Sequence, residues 1–428
     1  SGTLADGNPV IVNSDGTVSV IVGSAGGFGS PVVYHNSTTA GNIVFDSNSN
    51  KIVIAYPNAS NSSYGTAVVG TVSGTSISFG TPVVFESANT IGEFSLTFDS
   101  NSNKVVIAYR DGGNSSYGTA IVGTVSGTSI SFGSPVVFLS GAIAFVISAT
   151  FDSNSNKVVI AYNDQGNSYY GKAIVGTVSG TSISFGSPVT FESAQVTKIS
   201  ATFDSNSNKV VIAYKDDGNS GYATAIVGTV SGTSISFGSP VVFDSNEIFY
   251  LGITFDSSSN KVVIVSRSAT SSNYGYAIIG TVSGTSISFG TLVVYNSNTT
   301  NLSAACYDSL NNKVIISYAN GGNPGVGTVI LGNVSGTSIT FDTPEIFNSA
   351  NTTQIQSAFD SNAGKAVIIY TTSAEPQRSE SIVYGIASTT LTAENFIGFA
   401  NGAAADTGTA RVQIGSGING AQSSLTAG

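Results

Sequence analysis

The sequence has no tryptophan and no methionine, and it contains a single cysteine and a single histidine in 428 residues. One cysteine cannot form an intrachain disulfide or a thiolate metal cluster, and one histidine cannot form a histidine metal site. We therefore predict that the chain holds no metal and no cofactor. Cys306 lies among small apolar residues and is predicted to be a buried strand residue, because a free cysteine behaves as a small hydrophobe.

Charged residues are scarce, at 9% of the chain, against about 25% in ordinary globular domains. The formal net charge is −10. Because phosphate binding needs clustered lysine and arginine, nucleic acid is not predicted as a partner. No apolar run is long enough to span a bilayer, so membrane insertion is not predicted. A polar but uncharged exterior is typical of extracellular proteins and virion surfaces, and this is the predicted location.

The chain is instead rich in one repeated phrase, Phe-Asp-Ser-Asn-Ser-Asn-Lys followed by an apolar run. The phrase or a close variant occurs seven times, with its aspartates 52 or 53 residues apart. These aspartates are Asp46, Asp99, Asp152, Asp204, Asp256, Asp308 and Asp360. A fixed period of this size indicates one supersecondary unit copied in tandem.

Each repeat contains four short runs, named a to d here, which are bounded by Asn, Ser and Gly as β-strands are. In the third repeat these runs begin at Ile147, Lys157, Ala173 and Ser182. No stretch shows helical periodicity. Four antiparallel strands per repeat make a propeller blade. We predict an all-β fold, a seven-bladed β-propeller of four-stranded antiparallel blades with small β-rich flanking segments.

Composition predicts which strand is inner and which is outer. Proline cannot donate to a β-ladder and is confined to sheet edges, so run d is predicted as the outer edge. Run a is rich in small residues, as at Ser148 and Ala149, which suits a crowded central axis. The prolines of run d are Pro82, Pro135, Pro188, Pro240 and Pro344.

The propeller is predicted to span residues 28–396, between an N-terminal β-like connecting segment, 1–27, and a Gly/Ala-rich connecting module, 397–428. Two segments compete for the outer place in the seventh blade, residues 28–34 and residues 389–396. The N-terminal segment is favoured, because it would close a seam of exposed sheet edges. The absence of methionine leads us to expect that the chain is cut from a longer polypeptide.

The order of the strands puts the a–b and c–d turns on one face and the b–c and d–a loops on the other. The first face is nearly identical in every repeat, whereas the second varies. Loops on a rigid frame carry function, so the variable face is predicted to meet a partner. Drift in unconstrained loops is the alternative.

The Asp-Ser-Asn-Ser-Asn phrase has oxygen ligands at alternate positions, as a calcium loop does. The glycine that a calcium loop needs at its sixth position is lysine here, and the closing glutamate is missing. We interpret the phrase as an Asx turn that closes a hairpin, with the aspartate near the lysine five residues on.

Carboxylates and arginines are predicted on the b–c loops, where a propeller glycosidase could use them. A glycosidase needs two facing carboxylates at a set separation. Carboxylates are supplied on the b–c loops by Asp111, Asp164, Asp216 and Asp217, and on the d–a loops by Glu93 and Glu247. Three arginines on b–c loops, Arg110, Arg267 and Arg378, superficially resemble the arginine cluster of sialidases. They belong to blades two, five and seven, however, and the Asp-box pattern with its closing tryptophan is absent. We predict that the chain is not an enzyme.

Tyrosines recur on the predicted b–c loops among Asn, Gly and Ser. Aromatic rings with a polar edge beside amide donors make shallow sugar sites. The alternative is that each ring packs against the next blade. The candidate ligand-binding residues on the variable face are Tyr64, Tyr117, Tyr169, Tyr170, Tyr222, Tyr274, Arg110 and Arg267.

The phrase Gly-Thr-Val-Ser-Gly-Thr-Ser-Ile-Ser-Phe-Gly-Ser-Pro-Val-Val-Phe, with the Asp turn, resembles repeats in large structural proteins of tailed bacteriophages, notably marine ones. The C-terminal residues 394–399 and 424–428 resemble a module of phage tail and fibre proteins. The resemblance implies a virion structural protein, such as a tail fibre or surface decoration, for host attachment. Its partners would be other virion proteins and host-surface glycans, with a homo-oligomer left open. The alternatives are a secreted bacterial adhesin or lectin and a propeller glycosidase.

Overall fold

The structure, a computed structural model, describes residues 9–12, 18–20, 26–39, 41–90, 94–140, 146–269, 272–321, 325–373, 376–386, 398–400 and 412–413. The chain divides into two compact units, one of residues 28–384 and one of residues 1–27 with 385–428. The described part is almost entirely β-structure. Its three short 3-10 helices are Ala59–Asn61, Gln165–Asn167 and Asp217–Asn219.

The larger unit is built from antiparallel a–b–c sets, numbered here as sheets one to seven in chain order of strand a. In four sheets strand a is a separate element, namely Asn42–Asp46, Ser95–Asp99, Ile147–Asp152 and Thr300–Asp308. Strand b is Lys51–Asn58, Lys104–Asp111, Lys157–Asp164, Lys209–Asp216, Lys261–Ser268, Lys313–Asn320 and Lys365–Thr372. Strand c is Tyr64–Ser73, Tyr117–Ser126, Tyr170–Ser179, Tyr222–Ser231, Gly275–Ser283, Val326–Ser335 and Arg378–Gly385.

The predicted single strand d is in fact two strands, d1 and d2, which both pair with strand c. A proline, which has no N–H to donate to the ladder, lies between them in every sheet except sheet five, where Leu292 takes its place and the ladder is broken all the same. The prolines at this break are exposed, as expected for an outer edge. Strand d1 is Ser76–Phe79, Ser129–Phe132, Ser182–Phe185, Ser234–Phe237, Ser286–Phe289, Ser338–Phe341 and, for sheet seven, Gly27–Phe28. Separate d2 strands are Val83–Asn89, Val136–Leu139, Val293–Asn296 and Val32–His35.

Three of the predicted d–a loops are not loops. The strands Val189–Asp204, Val241–Asp256 and Glu345–Asp360 each contain d2 of one sheet and strand a of the next. The register of each shifts part-way along, so a bulge takes the place of a turn. A bulge re-aims the side chains beside it, and these bulges lie where strand a begins.

The inner strands form a closed cycle. Each strand a contacts strand a of the following sheet, and strand a of sheet seven contacts that of sheet one. Sheet seven takes its outer strand from the N-terminal side, since Val33 pairs with Glu380 and Gly29 N–H donates to the Val383 carbonyl at 2.9 Å. The favoured N-terminal placement is thus the one observed. The competing segment, residues 389–396, lies outside the described residues.

Neighbouring sheets pack through aromatic pairs at their outer edges. A buried tyrosine of strand b contacts an aromatic ring of the preceding sheet, as in Phe85–Tyr109 at 5.2 Å and Phe191–Tyr214 at 5.2 Å between ring centroids. Such tilted or edge-on pairs stabilise beyond the area they bury. Cys306 is buried in strand a of sheet six, as predicted, and burial raises the pKa of its thiol to about 12.

A glycine after d1 allows each sheet to touch the next one. A Cβ added at Gly186 would lie 1.9 Å from the carbonyl oxygen of Thr233, in the c–d turn of the following sheet. Only a residue without a side chain fits such a contact. The glycines that share it are Gly29, Gly80, Gly133, Gly186, Gly238 and Gly290. Sheet six has Asp342 in this place.

The smaller unit has one described sheet, in the order Val18–Val20, Pro9–Val12, Gly398–Ala400, Val412–Gln413. Residues from both predicted flanking segments therefore contribute strands to the same sheet. In the part of the chain that the structure describes, no helix is long and apolar enough to cross a membrane.

Candidate binding site at the mouth of the central cavity

The inner strands enclose a cavity of about 270 Å³ at the end where strand a begins. Its floor is formed by the residues four places before the repeated aspartate, most of which are small or polar. The floor residues are Asn42, Ser95, Ser148, Ser200, Gly252 and Gln356. Because the b–c turns and d–a connections lie at this same end, the cavity opens on the face that the sequence marks as variable.

Part of the floor holds neighbouring sheets together. The Asn42 side-chain amide donates to the Phe94 carbonyl at 3.0 Å. The N–H of Ala149 donates to the Ser95 hydroxyl at 2.8 Å, and the N–H of Ala201 donates to the Ser148 hydroxyl at 2.9 Å. The predicted small residues of run a are therefore at the axis for two reasons, close approach and hydrogen bonding between sheets.

Above the floor lies a set of side chains that we call the mouth ring, six places before the repeated aspartate. The described members are Val146, Lys198, Tyr250, Leu302 and Gln354, all of which line the cavity. The corresponding residues of sheets one and two are outside the described part of the chain. One repeat position thus presents an apolar, a cationic, an aromatic and an amide side chain around a single opening.

Three members of the mouth ring have left-handed backbone conformations although they are not glycine. The φ angle is 52° at Lys198, 52° at Leu302 and 55° at Gln354. Each is part of the local irregularity that interrupts pairing of strands a and b. Such a conformation costs on the order of 1 kcal/mol or more for a residue with a side chain, and it clusters at functional sites.

Several polar groups at the mouth are available to a ligand. Among the described residues, the side chains of Lys198, Gln354 and Gln356 have no hydrogen-bond or ion-pair partner. Lys198 and Gln354 are exposed, and Gln356 is half-buried. An ammonium and two amides offer donors and acceptors at one rim, next to the partly buried ring of Tyr250.

Tyr250 connects the mouth ring to an aromatic and cationic cluster of sheets four to six. The Arg267 guanidinium lies 4.5 Å from the ring centroid of Phe249 and 4.8 Å from that of Tyr250. It also donates to the Asn301 side-chain oxygen at 2.7 Å. Burial lowers the pKa of Arg267 below its ordinary value. Such a stack holds the Tyr250 ring in a fixed orientation.

The neighbouring cation, Lys215, is neutralised by carboxylates. Its ammonium lies 2.7 Å from Glu247 and 3.1 Å from Asp217. Arg267 has no carboxylate partner among the described residues. The uncompensated positive charges near the mouth are therefore those of Lys198 and Arg267.

None of the three arginines predicted on b–c loops lies in a loop. Arg110 and Arg267 lie near the end of strand b, in Lys104–Asp111 and Lys261–Ser268, and Arg378 begins strand c of sheet seven. Strand b extends further than its apolar run, because the ladder with strand c continues to the turn. Arg267 belongs to the cluster beside the mouth. Arg110 lies in sheet two, away from that cluster.

The predicted tyrosines also lie at strand ends. Tyr64, Tyr117, Tyr170 and Tyr222 are the first residues of strand c, whereas Tyr169 and Tyr274 stand just before it. All six are half-buried, and none lines the central cavity. They form a separate row at the outer part of the variable face, and their role in binding stays a prediction.

The carboxylates considered for catalysis have local partners, a turn in one case and a lysine in another. Asp111 accepts the N–H groups of Gly113 at 2.9 Å and Asn114 at 3.1 Å, and Asp164 pairs with Lys172 at 2.6 Å. These aspartates end strand b; the predicted loop position is wrong for them too. No group of three His, Cys, Asp or Glu residues within the described part could hold a metal ion.

The repeated aspartates behave as Asx turns require. Asp46 accepts the N–H groups of Asn48 at 2.9 Å and Ser49 at 3.0 Å, and the same bonds recur in the other sheets. Asp46 also lies directly opposite Lys51 in the a–b ladder. The hairpin interpretation of this phrase therefore accounts for its composition.

No family model matches the chain, and no curated protein matches it. Solved structures do. A BP39L lectin from Burkholderia pseudomallei superposes with a TM-score of 0.59 at 9% identity over 81% of this chain and 98% of that one. A periplasmic gluconolactonase of Pseudomonas aeruginosa gives 0.55 at 11% identity over 81% and 97%. A protein of unknown function from Dyadobacter fermentans gives 0.52 at 12% identity over 84% and 99%.

These likenesses establish the fold. The chain is an all-β protein of the propeller class, as the sequence predicts. They establish no function, because identities of 9 to 12% carry only the shape. None of the three neighbours is described as a bacteriophage protein.

The prediction that the chain is not an enzyme is wrong, because the observations behind it do not exclude catalysis. It depended on missing glycosidase and sialidase motifs, yet the same fold is shared with a gluconolactonase, whose chemistry those motifs do not describe. The lectin neighbour shows that the fold also serves binding. The propeller architecture is thus compatible with binding and with catalysis.

Proposed function

We propose that this propeller binds carbohydrate at the mouth of its central cavity. The observation that carries the proposal is the mouth ring, where Lys198, Tyr250 and Gln354 occupy one repeat position and project around one opening. An aromatic ring beside amide and ammonium donors is suited to a sugar, which presents an apolar face and a rim of hydroxyls. The lectin among the structural neighbours supports this use of the fold.

The ligand class is best described as a glycan of a cell surface. The mouth has hydrogen-bonding groups on several sides and apolar walls from Leu302 and Ile355. A cavity of about 270 Å³ fits one or two sugar units, with further units lying over the exposed rim. Host attachment by a virion appendage is the setting we favour, and it depends on the polar, weakly charged composition and on the resemblance to phage repeats. A secreted bacterial lectin is the alternative setting.

A glycan array that includes bacterial envelope polysaccharides tests the proposal. For a glycan that binds, Tyr250→Ala should weaken binding at least tenfold, because the ring loses its stacking contact. Lys198→Ala should weaken it several-fold. Tyr64→Ala removes a half-buried tyrosine far from the cavity and serves as the matched control. Incubated glycans should also be analysed by mass spectrometry, so that any turnover is detected.

The proposal fails if no envelope glycan binds, or if the mouth variants bind as tightly as the parent chain. Loss of binding in Tyr64→Ala or Tyr222→Ala, with Tyr250→Ala unaffected, would move the site to the outer row of tyrosines. Thermal unfolding of every variant is needed, since a change in affinity counts only when the fold is retained.

A further inference from the structure

Sheet six contains a three-residue cluster that the binding site does not use. The Lys313 ammonium donates to the Asn333 side-chain oxygen and lies 3.5 Å from Asp342 Oδ2. The Asn333 side-chain nitrogen donates to Asp342 Oδ1 at 2.9 Å. The Asp342 carboxylate therefore contacts both the Lys313 amine and the Asn333 amide, and the amine and the amide also contact each other.

The cluster departs from the repeat at two of its three positions. Every sheet begins strand b with lysine, and Val314, which follows Lys313, pairs with Gly332, which precedes Asn333. Where sheet six has Asn333, the five preceding sheets have Thr71, Thr124, Thr177, Thr229 and Thr281. Where it has Asp342, they have glycine. Two independent departures thus converge on one lysine.

Asn333 is half-buried, and its hydrogen bond to Asp342 is exposed. The hydroxyl oxygens of the five equivalent threonines are buried, with no hydrogen-bond partner among the described residues. Lys313 itself is only 26% exposed, whereas Asp342 is 46% exposed at the edge of the cluster. The amine and the amide therefore meet under partial cover, and the carboxylate can still exchange protons with solvent.

We propose that Lys313 and Asn333 become joined by an intramolecular isopeptide bond, with Asp342 as the proton carrier. Asp342 Oδ2 accepts a proton from the ammonium, and the neutral Nζ attacks Asn333 Cγ. The carboxylic acid so formed then protonates the side-chain nitrogen of Asn333. As the C–N bond of the original amide breaks, the second proton of the attacking Nζ passes through the Asp342 carboxylate to the departing nitrogen, which leaves as ammonium, and Asp342 remains a carboxylate. One N–C bond forms, one breaks, and no oxidant or cofactor is needed.

Positioning is what makes the reaction feasible. An uncoupled amine and amide do not react at neutral pH, but holding the two groups in contact removes the entropic part of the barrier. A carboxylate within reach of both nitrogens supplies general base and general acid in sequence. The product would link strands b and c of sheet six. The competing interpretation is a reversible network of hydrogen bonds and one ion pair.

The intact mass of the full chain separates the two interpretations, because the bond releases one ammonia and lowers the mass by about 17 Da. Peptide mapping should then recover a branched peptide joining Lys313 and Asn333. Asn333→Thr and Asp342→Gly restore residues that other sheets use, so both variants are expected to fold and to show the unreduced mass. The proposal is overturned if neither fresh nor aged protein shows the loss of mass. So does ammonia loss mapped elsewhere, for example to ring closure at Asn320-Gly321.

Discussion

At the end of the sheets where strand a turns into strand b, seven aspartates make nearly the same turn. At the opposite end, five equivalent residues of the mouth ring have five different side chains. The first end is held by side-chain to backbone bonds, such as those of Asp204 to Asn206 and Ser207. The second end includes bulges, and its left-handed residues differ between sheets, as at Lys198 and Leu302, whereas the left-handed residue of the a–b turn is asparagine in six sheets. The repeats therefore agree in sequence at one end of the sheets and differ at the other.

The difference has a physical origin in what each end contacts. The c–d turns dock against the neighbouring sheet through backbone atoms, so any side chain at Gly186 would collide with Thr233. A side chain of the mouth ring meets the open cavity, where many shapes fit. The mouth-ring residues can therefore vary without a collision, because their side chains meet open space, and a ligand can bind to the varied side chains.

The largest expected effect comes from breaking the uniform end. Gly186→Ala places a methyl group on the Thr233 carbonyl, 1.9 Å away, and the sheets must separate. We expect the free energy of unfolding to fall by about 3 kcal/mol, as for an overpacked core. Urea unfolding provides the measurement, and exposed Ser187→Ala is the control beside it. A loss below about 1 kcal/mol would contradict the close contact.

The turn aspartate should come next. Asp204→Ala removes the acceptor of two backbone N–H bonds and of the Ser207 hydroxyl bond at 2.7 Å. Because Asp204 is buried, we expect a loss of about 2 kcal/mol. Ser205→Ala, in the same turn and exposed, should change little. Equal losses in the two variants would show that the turn depends on its backbone alone.

At the varied end, removing strain should stabilise the fold. Lys198→Gly relieves a left-handed backbone with φ of 52°, and the free energy of unfolding should rise by about 1 kcal/mol while glycan binding weakens. The control Gln195→Gly lies in the same strand without positive φ and should lower stability instead. Destabilisation by Lys198→Gly would mean that the conformation carries no strain.

The smallest effect compares two turns of the uniform end. Burial raises the pKa of both Asp256 and Asp360, but hydroxyl and backbone bonds from Ser259 and Ser258 outweigh burial and leave the Asp256 pKa below 3.8. Asp360 receives only backbone bonds, from Ala363 and Asn362, so its pKa stays above 3.8. Ala363→Ser should therefore lower the Asp360 pKa.

The sign of the stability change follows from this shift. In the parent chain the raised pKa means that the folded state favours protonated Asp360. The contribution of Asp360 to stability therefore falls as pH rises past 3.8. Ala363→Ser should recover about 0.5 kcal/mol at neutral pH and little at pH 2. Carboxyl NMR titration measures the pKa, and Ser259→Ala should produce the opposite change at Asp256. An unchanged Asp360 titration would contradict the role given to the hydroxyl.

Much of the fold could be read from the repeat. The repeat predicts the tandem a–b–c sets, and the exposed Pro82 and buried Ala149 lie where the edge and axis arguments expect them. The division of strand d could not be seen, because the segments on both sides of the break are β-like. The three continuous d–a strands were also missed, since a bulge such as that between Thr197 and Ser200 has no fixed sequence signature.

The candidate site was harder to predict. The tyrosines are predicted because they recur; Tyr64 and Tyr222 lie at the start of strand c and do not line the central cavity, and their role in binding stays a prediction. The mouth ring carries the opposite signal, a position that differs in each repeat beside an unchanged aspartate. Its convergence at one opening follows from ring closure, and Arg267 stacks on Tyr250 only through the fold.

The pairing of Val32–His35 with Arg378–Gly385 has a consequence for synthesis on the ribosome. A chain grows from its N-terminus, so the strand that is made early pairs with one that emerges more than 300 residues later. Until then, Val32–His35 lacks its partner in strand c of sheet seven, and an unpaired edge can join a wrong neighbour. A chain that terminates before Arg378 never gains that partner, so we expect it to self-associate more readily than the chain that includes it.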